Sequence, residues 1–265
     1  MTSVEGREQG KLERVGRFLF RWRSFTPIPL LVAAVPLLWR SRGGGSVGWT
    51  VAGIALCASG QALRAWVLGQ VPDGTSGQNE RLIATELNTS GPYTRTRNPL
   101  YLGNFLITLG LCVAAHDVAL LLLVAVLFAV QYRAIIAAEE GFLRDRFGAR
   151  FEEYRRAVPR FWPRLTASER SAARPAWSWR RALRKEHNPF AAWAMLLVAL
   201  LGSDQIVQAR AAGAAPSLRG YGVGAHVAAL AALAVGWLCV KGWKHRWAQG
   251  GFAEDVRRRL RETAR

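Results

Sequence analysis

From Pro99 to Ile136 the chain runs 38 residues of almost unbroken hydrocarbon, and that length decides most of the architecture. A bilayer core of ~30 Å is crossed by ~20 helical residues, so one helix of this length would overshoot it by far. The stretch offers two spans, and the strongly polar pair His116-Asp117 marks the turn between them. A helical hairpin with both ends on one membrane face is the expected result. Those ends carry the most distinctive polar motifs. GPYTRTRNPLYLG (Gly91 to Gly103) opens the hairpin, and Glu139-Glu140 followed by FGARFEEYRRAVPRFWP (Phe147 to Pro163) closes it. The hairpin therefore predicts that two distant motifs meet.

The rest of the chain supports a membrane setting. Hydrophobic residues make up 51% of 265, yet the net charge is +18. The basic residues lie between apolar segments and not on one continuous polar domain, so anionic lipid head groups are the expected partner and nucleic acid is not. Cys57, Cys112 and Cys239 each sit inside an apolar stretch without a CxxC pair. They read as buried thiols, and with four scattered histidines no metal site is expected.

In chain order, residues 1–24 form a basic segment able to make an interfacial helix. Residues 25–163 form a membrane core, 164–187 a basic interfacial linker, 188–241 two further spans and 242–265 a basic tail. The first apolar run, Phe25 to Trp39, reads as a retained helix with Pro27 and Pro29 in its first turn. Val47 to Gly69 is long enough to span; Arg64 near its end either snorkels to the head groups or faces the protein interior. Residues 70–98 read as an ordered loop. After Glu140 an amphipathic helix is expected, with Leu143, Phe147, Phe151, Tyr154 and Val158 on one face. The last two apolar segments are Pro189 to Leu201 and Val223 to Val240. The fold class is an all-α, multi-pass transmembrane bundle of five to six spans. Between Phe142 and His187 there are 13 Lys or Arg against 5 Asp or Glu, which places that segment and both termini in the cytoplasm of a bacterial-type membrane.

Several residues could carry chemistry. Pro99 suits the first helical position and makes Asn98 the N-cap. A helix N-terminus flanked by Arg95 and Arg97 attracts a carboxylate or phosphate, with Tyr93 and Tyr101 at hand; the plainer reading is that the motif merely starts a helix. Glu139 and Glu140 diverge by about 100°, so Glu140 can pair with Arg144 at i+4 while Glu139 is left to bind a ligand. Arg133, two turns before Glu140, is a charge deep in the apolar run that needs a partner.

GPYTRTRNPLYLG, the apolar hairpin, Glu139-Glu140, and the run from Phe147-Gly148 to Pro163 together resemble the isoprenylcysteine carboxyl methyltransferases and the related phospholipid N-methyltransferases. The likeness extends from Leu63, in the LRAWVLG segment, to Pro163. It implies S-adenosyl-L-methionine bound between the hairpin's polar ends and a lipid-like or prenylated acceptor entering from the bilayer. Carried over by motif, Tyr93, Arg97, Asn98, Pro99, Tyr101, Leu102 and Gly103 line the cofactor site with Glu139 and Glu140. Asn98 departs from the family's usual His and cannot become cationic. Arg64 or Arg133 would orient an anionic acceptor, a carboxylate or phosphate, with Glu140 as part of the machinery. Three rivals remain: an amine acceptor of the phosphatidylethanolamine type, an NADPH-dependent membrane reductase, and a non-catalytic protein binding anionic lipid. Oligomeric state and acceptor identity are not set by the sequence.

Overall fold

The structure, a computed structural model, describes residues 14–20, 46–71, 84, 86–166, 176–211, 213 and 223–263, with side chains to Lys244. The described residues are helical, without strands. The elements are α1 (Val47–Gln70), a 3₁₀ turn (Gly91–Thr94), α2 (Pro99–Ala114), α3 (Val118–Phe147), α4 (Ala149–Ala157), α5 (Trp179–Ala211) and α6 (Val223–Thr263). Four are long and apolar enough to cross a membrane: α1, α3, the Trp179–Arg210 part of α5 and the Val223–Lys244 part of α6. The all-α membrane bundle is thus as expected. The apolar run Phe25 to Trp39 lies outside the described residues, as do residues 40–45 and, within the 70–98 loop, residues 72–83 and 85.

The chain divides into two compact units, Met1–Lys185 and Glu186–Arg265. The first contains the hairpin. Its turn falls where the polar pair placed it. His116 takes a left-handed φ of 58° and shares a 3.0 Å hydrogen bond with Thr50 of α1. Asp117 caps α3 by accepting from Leu120 N at 2.9 Å. The arms are unequal, however. α2 has 16 residues, shorter than a full span, whereas α3 has 30 and continues past Glu140. Nothing breaks α3 until Gly148, whose φ of 51° suits glycine alone. The single amphipathic helix expected after Glu140 is therefore two pieces, the end of α3 and α4. Its apolar stripe survives the break: Phe151 and Val158 are buried, and Leu143, Phe147 and Tyr154 are half-buried.

α1 and α2 approach closely along a seam of small residues. A Cβ on Gly60 would lie 2.6 Å from the Gly103 carbonyl oxygen, and one on Gly110 would lie 2.6 Å from Cys57 Sγ. Such seams let helix backbones approach where lipid offers no hydrophobic drive for association. Residues 14–20 are helical and lay Gly16 against Ala134 and Ala138 of α3. Phe20 joins Tyr101, Ile135 and Ile136 in the core.

The basic linker differs from expectation. From Trp179 onward it is already α5, so the helix begins ten residues before Pro189 and carries that proline inside it. Its cations have a local task. Arg181 Nη1 donates to the carbonyls of Gly69 (3.2 Å) and Gln70 (3.3 Å), and Lys185 Nζ to that of Val71 (3.4 Å). α1 has no basic residue in its own last turn, and these side chains supply the positive charge its C-terminus favours.

In the second unit, His226 of α6 packs on Gly202 of α5, and the Trp237 indole donates to Asn188 Oδ1 at 2.8 Å. Cys57 and Cys112 are buried as expected. Cys239 is exposed, because the apolar window of α6 has no residue buried against protein.

Candidate active site

The two motifs meet. Residues 95–98 lie antiparallel to residues 159–164. Arg97 N donates to the Pro159 carbonyl at 2.9 Å, and Arg164 N to the Arg95 carbonyl at 3.0 Å. Between them Thr96 Oγ1 donates to the Phe161 carbonyl (2.9 Å) and Asn98 Nδ2 to that of Arg160 (2.7 Å). Pro99 opens α2 and Asn98 stands at the N-cap position, but its side chain makes no capping bond because the amide is turned to Arg160. Tyr154 of α4 donates to the Tyr93 carbonyl at 2.8 Å and fastens the 3₁₀ turn to the same assembly.

This clamp sets two arginines on one carboxylate. Glu140 is buried, with Arg97 Nη1 3.0 Å from Oε1 and Arg160 Nε donating to Oε1 at 3.2 Å; Arg160 Nη2 reaches Oε2. The Arg97 contact is electrostatic and poorly directed. Its Nε and Nη1 are buried without a hydrogen-bond partner. Burial lowers the Arg97 pKa, the Glu140 charge opposes that shift, and Arg160 reinforces it. Arg97 remains a cation at any physiological pH. The expected local pair of Glu140 with Arg144 gives way to these long-range partners; Arg144 Nε instead donates to Glu152 at 3.0 Å. As helical geometry requires, Glu139 points elsewhere, accepting from the Tyr101 hydroxyl at 2.6 Å.

A second polar group lies deeper. Arg64 faces the interior, where Nη1 donates to Asn104 Oδ1, and Asn104 Nδ2 donates to the Tyr132 hydroxyl at 3.0 Å. A Cβ on Gly103 would lie 2.5 Å from Arg64 Cγ, so this motif glycine leaves room for the arginine stem. Pro99 and Leu102 are buried in packing. Arg133 is placed apart. It is exposed, on the stripe of α3 that carries exposed Leu122, Val126 and Val130. It shares a helix face with Glu140 by phase, but Glu140 is buried and Arg133 is not. Sequence reasoning missed Arg160, Asn104 and Tyr132. Arg160 had a signal, as a cation inside the closing motif. Asn104 had one too, as an amide in the apolar first arm.

Residues 49–150 match the family described as phospholipid methyltransferase. That match covers 102 of the 265 residues. The matched segment contains both arms of the hairpin and Glu139-Glu140, while the Arg160 side of the clamp lies beyond it. Two curated relatives also match. The chain is 40% identical over 83 residues to a nickel-cobalt-cadmium resistance protein, NccN, of Alcaligenes xylosoxydans xylosoxydans, covering 31% of this chain and 38% of that protein. It is 44% identical over 80 residues to a cobalt-zinc-cadmium resistance protein, CzcN, of Cupriavidus metallidurans, covering 30% and 37%. The matched region thus spans less than two-fifths of either relative. No solved structure matches the chain.

Proposed function

We propose that this protein is an integral membrane methyltransferase that uses S-adenosylmethionine to methylate an anionic oxygen, carboxylate or phosphate, of a lipid-like acceptor. The observation that carries the reading is Glu140 held between Arg97 and Arg160, in a segment of a methyltransferase family. The residues fit the donor: the buried Arg97 nitrogens, two of which make no hydrogen bond, suit its amino-acid carboxylate, and Glu139 beside Tyr101 offers acceptor oxygens for its hydroxyl or ammonium groups. When bound, S-adenosylmethionine supplies an electrophilic methyl group, which passes to an acceptor lone pair as the carbon–sulfur bond breaks to leave a neutral thioether. An ionised acceptor needs no general base, so the task of this chain is alignment and desolvation. Glu140 acts by fixing the two guanidinium groups. Arg64, facing inward, takes the acceptor in preference to Arg133, which faces outward.

The same arginine favours an oxygen over an amine acceptor, since a cation repels an ammonium head group. The two differ in pH dependence: amine methylation falls as the amine protonates, whereas anionic acceptors show little loss near neutrality. The relatives' names concern resistance to divalent metals. Among the described residues no group of three or more His, Cys, Asp or Glu could hold a metal. Methylating an anionic head group removes a charge and a metal-binding oxygen from the membrane surface, and we propose that route for any shared role in tolerance.

The test is calorimetric titration of the purified full chain with S-adenosylmethionine, joined to mass spectrometry of lipids from cells with and without it. Saturable binding and a lipid carrying one added methyl group are expected. Absence of binding, or retention on an NADP matrix and not on adenosylhomocysteine, overturns the proposal.

A further inference from the structure

Arg133 has a position that the site around Glu140 does not explain. It continues an outward-facing apolar stripe of α3: Leu122, Val126 and Val130 are each exposed by 60% or more, and Arg133 follows at the next step, exposed as well. Among the described residues it has no hydrogen bond or ion pair. A cation that faces lipid from a membrane-spanning helix is costly unless it meets an anion. Its depth identifies that anion. Val118 to Arg133 is about 22 Å of helix against a hydrocarbon core of ~30 Å, so the guanidinium, on its long stem, reaches the head groups of the leaflet on the Glu140 side. From Arg133 back to Leu122 is about 16 Å, close to the thickness of one leaflet's hydrocarbon. The cation and the stripe thus match the head and chain of a lipid in order and in length.

A second cation lies nearby. Gly16 rests on Ala134 and Ala138, and its neighbour Arg17 is exposed, which brings positive charge to the same end of α3. A second copy of the chain fits this stripe poorly. A two-fold contact would set Arg133 near its own copy, and none of the exposed carboxylates described in this unit (Glu86, Asp145, Glu153) lies in the apolar run from Val118 to Ile136.

We infer that Arg133 binds the phosphate of an anionic glycerophospholipid whose acyl chain lies along Val130, Val126 and Leu122, with the charge of Arg17 adding to the attraction. The planar guanidinium suits the paired oxygens of a phosphate. Two cations favour a lipid of net negative charge over a zwitterionic one, whose ammonium they repel. This site is separate from the one around Glu140 and does not depend on the methyltransferase reading.

The probes are photoreactive phosphatidylglycerol and phosphatidylcholine with the reactive group at mid-chain. Each is present as a trace in phosphatidylcholine nanodiscs that hold the full chain, and labelled residues are mapped by mass spectrometry. Phosphatidylglycerol is expected to label residues 122–130 about fivefold or more above phosphatidylcholine, and unlabelled phosphatidylglycerol to displace it. In Arg133→Gln that labelling falls about fivefold, the worth of one cation at an anionic surface, whereas Arg133→Lys keeps it within about twofold. Arg17→Gln, farther from the chain, loses about twofold, and unchanged labelling there overturns the part given to Arg17. The comparison of the two lipids uses the unaltered chain and decides the matter if Arg133→Gln does not accumulate. Equal labelling by the two lipids, labelling of residues 122–130 unchanged in Arg133→Gln, or displacement by inorganic phosphate alone overturns the inference. So does a photoreactive residue in place of Val126 that captures a second copy of the chain.

Discussion

Glu140→Gln is the substitution most tightly bound to the geometry, because it keeps the side chain's length and removes only its charge. The Arg97 side chain is 10% exposed and that of Arg160 45%, so the two halves of the pairing differ in worth. Removing one partner of a buried pair costs about 3–5 kcal/mol, since the remaining charge loses its compensation. The solvated Arg160 arm adds about 1 kcal/mol or less. The Gln amide oxygen still accepts one hydrogen bond and recovers about 1 kcal/mol. The expected loss is about 3 kcal/mol, on the order of a hundredfold in the folding equilibrium. Reversible unfolding in mixed micelles, followed by circular dichroism, measures it in a cycle with Arg97→Met. The double variant no longer buries an uncompensated cation and is expected to be more stable than Glu140→Gln alone. The reasoning fails if Glu140→Gln lies within about 0.5 kcal/mol of the parent, or if the two substitutions simply add.

Gly60→Ala places a Cβ 2.6 Å from the Gly103 carbonyl oxygen and must push α1 from α2, a loss of about 1–3 kcal/mol seen as a lower melting temperature in detergent. An unchanged melting temperature refutes the tight seam. Tyr154→Phe tests the alkaline limit. Burial, reinforced by Tyr93 and opposed by Arg97, pushes the Tyr154 phenol above the ordinary tyrosine range. The unfolded chain then loses this proton first, so stability is full below about pH 10 and falls as pH rises beyond it. The variant is expected to have a shallower alkaline slope in pH-dependent unfolding, and an identical slope rejects the assignment. Asn98→Ala removes the 2.7 Å bond to the Arg160 carbonyl; hydrogen exchange at residues 159–164 should rise by about 1 kcal/mol of local opening, with no change expected around His116.

The hairpin was legible because it follows from one length set against another. An apolar run near twice a bilayer's thickness must turn, and His116-Asp117 was the place where turning left fewest polar groups in hydrocarbon. The boundaries beyond it were less legible because they depend on where helix propagation stops and not on where hydrophobicity stops. α3 outlasts its apolar run by several residues and yields only at Gly148. The linker likewise becomes helix at Trp179, where its cations find the open carbonyls of α1.

The site shows the same division between local and long-range causes. Spacing alone favoured Glu140 with Arg144, one turn apart. A surface pair of that kind is worth a few tenths of a kcal/mol, whereas a buried carboxylate between two guanidinium groups is bound far more tightly once the fold has brought them together. The local rule therefore loses wherever a clamp such as that of residues 95–98 and 159–164 forms. Arg133 meets the same limit. Helical phase put it on the face of Glu140, but phase says nothing of what covers that face, and the cover that buries Glu140 leaves Arg133 exposed. Arg64 was open to either fate from sequence. Gly103 decides it, because only a residue without a side chain leaves the arginine stem space to turn inward to Asn104.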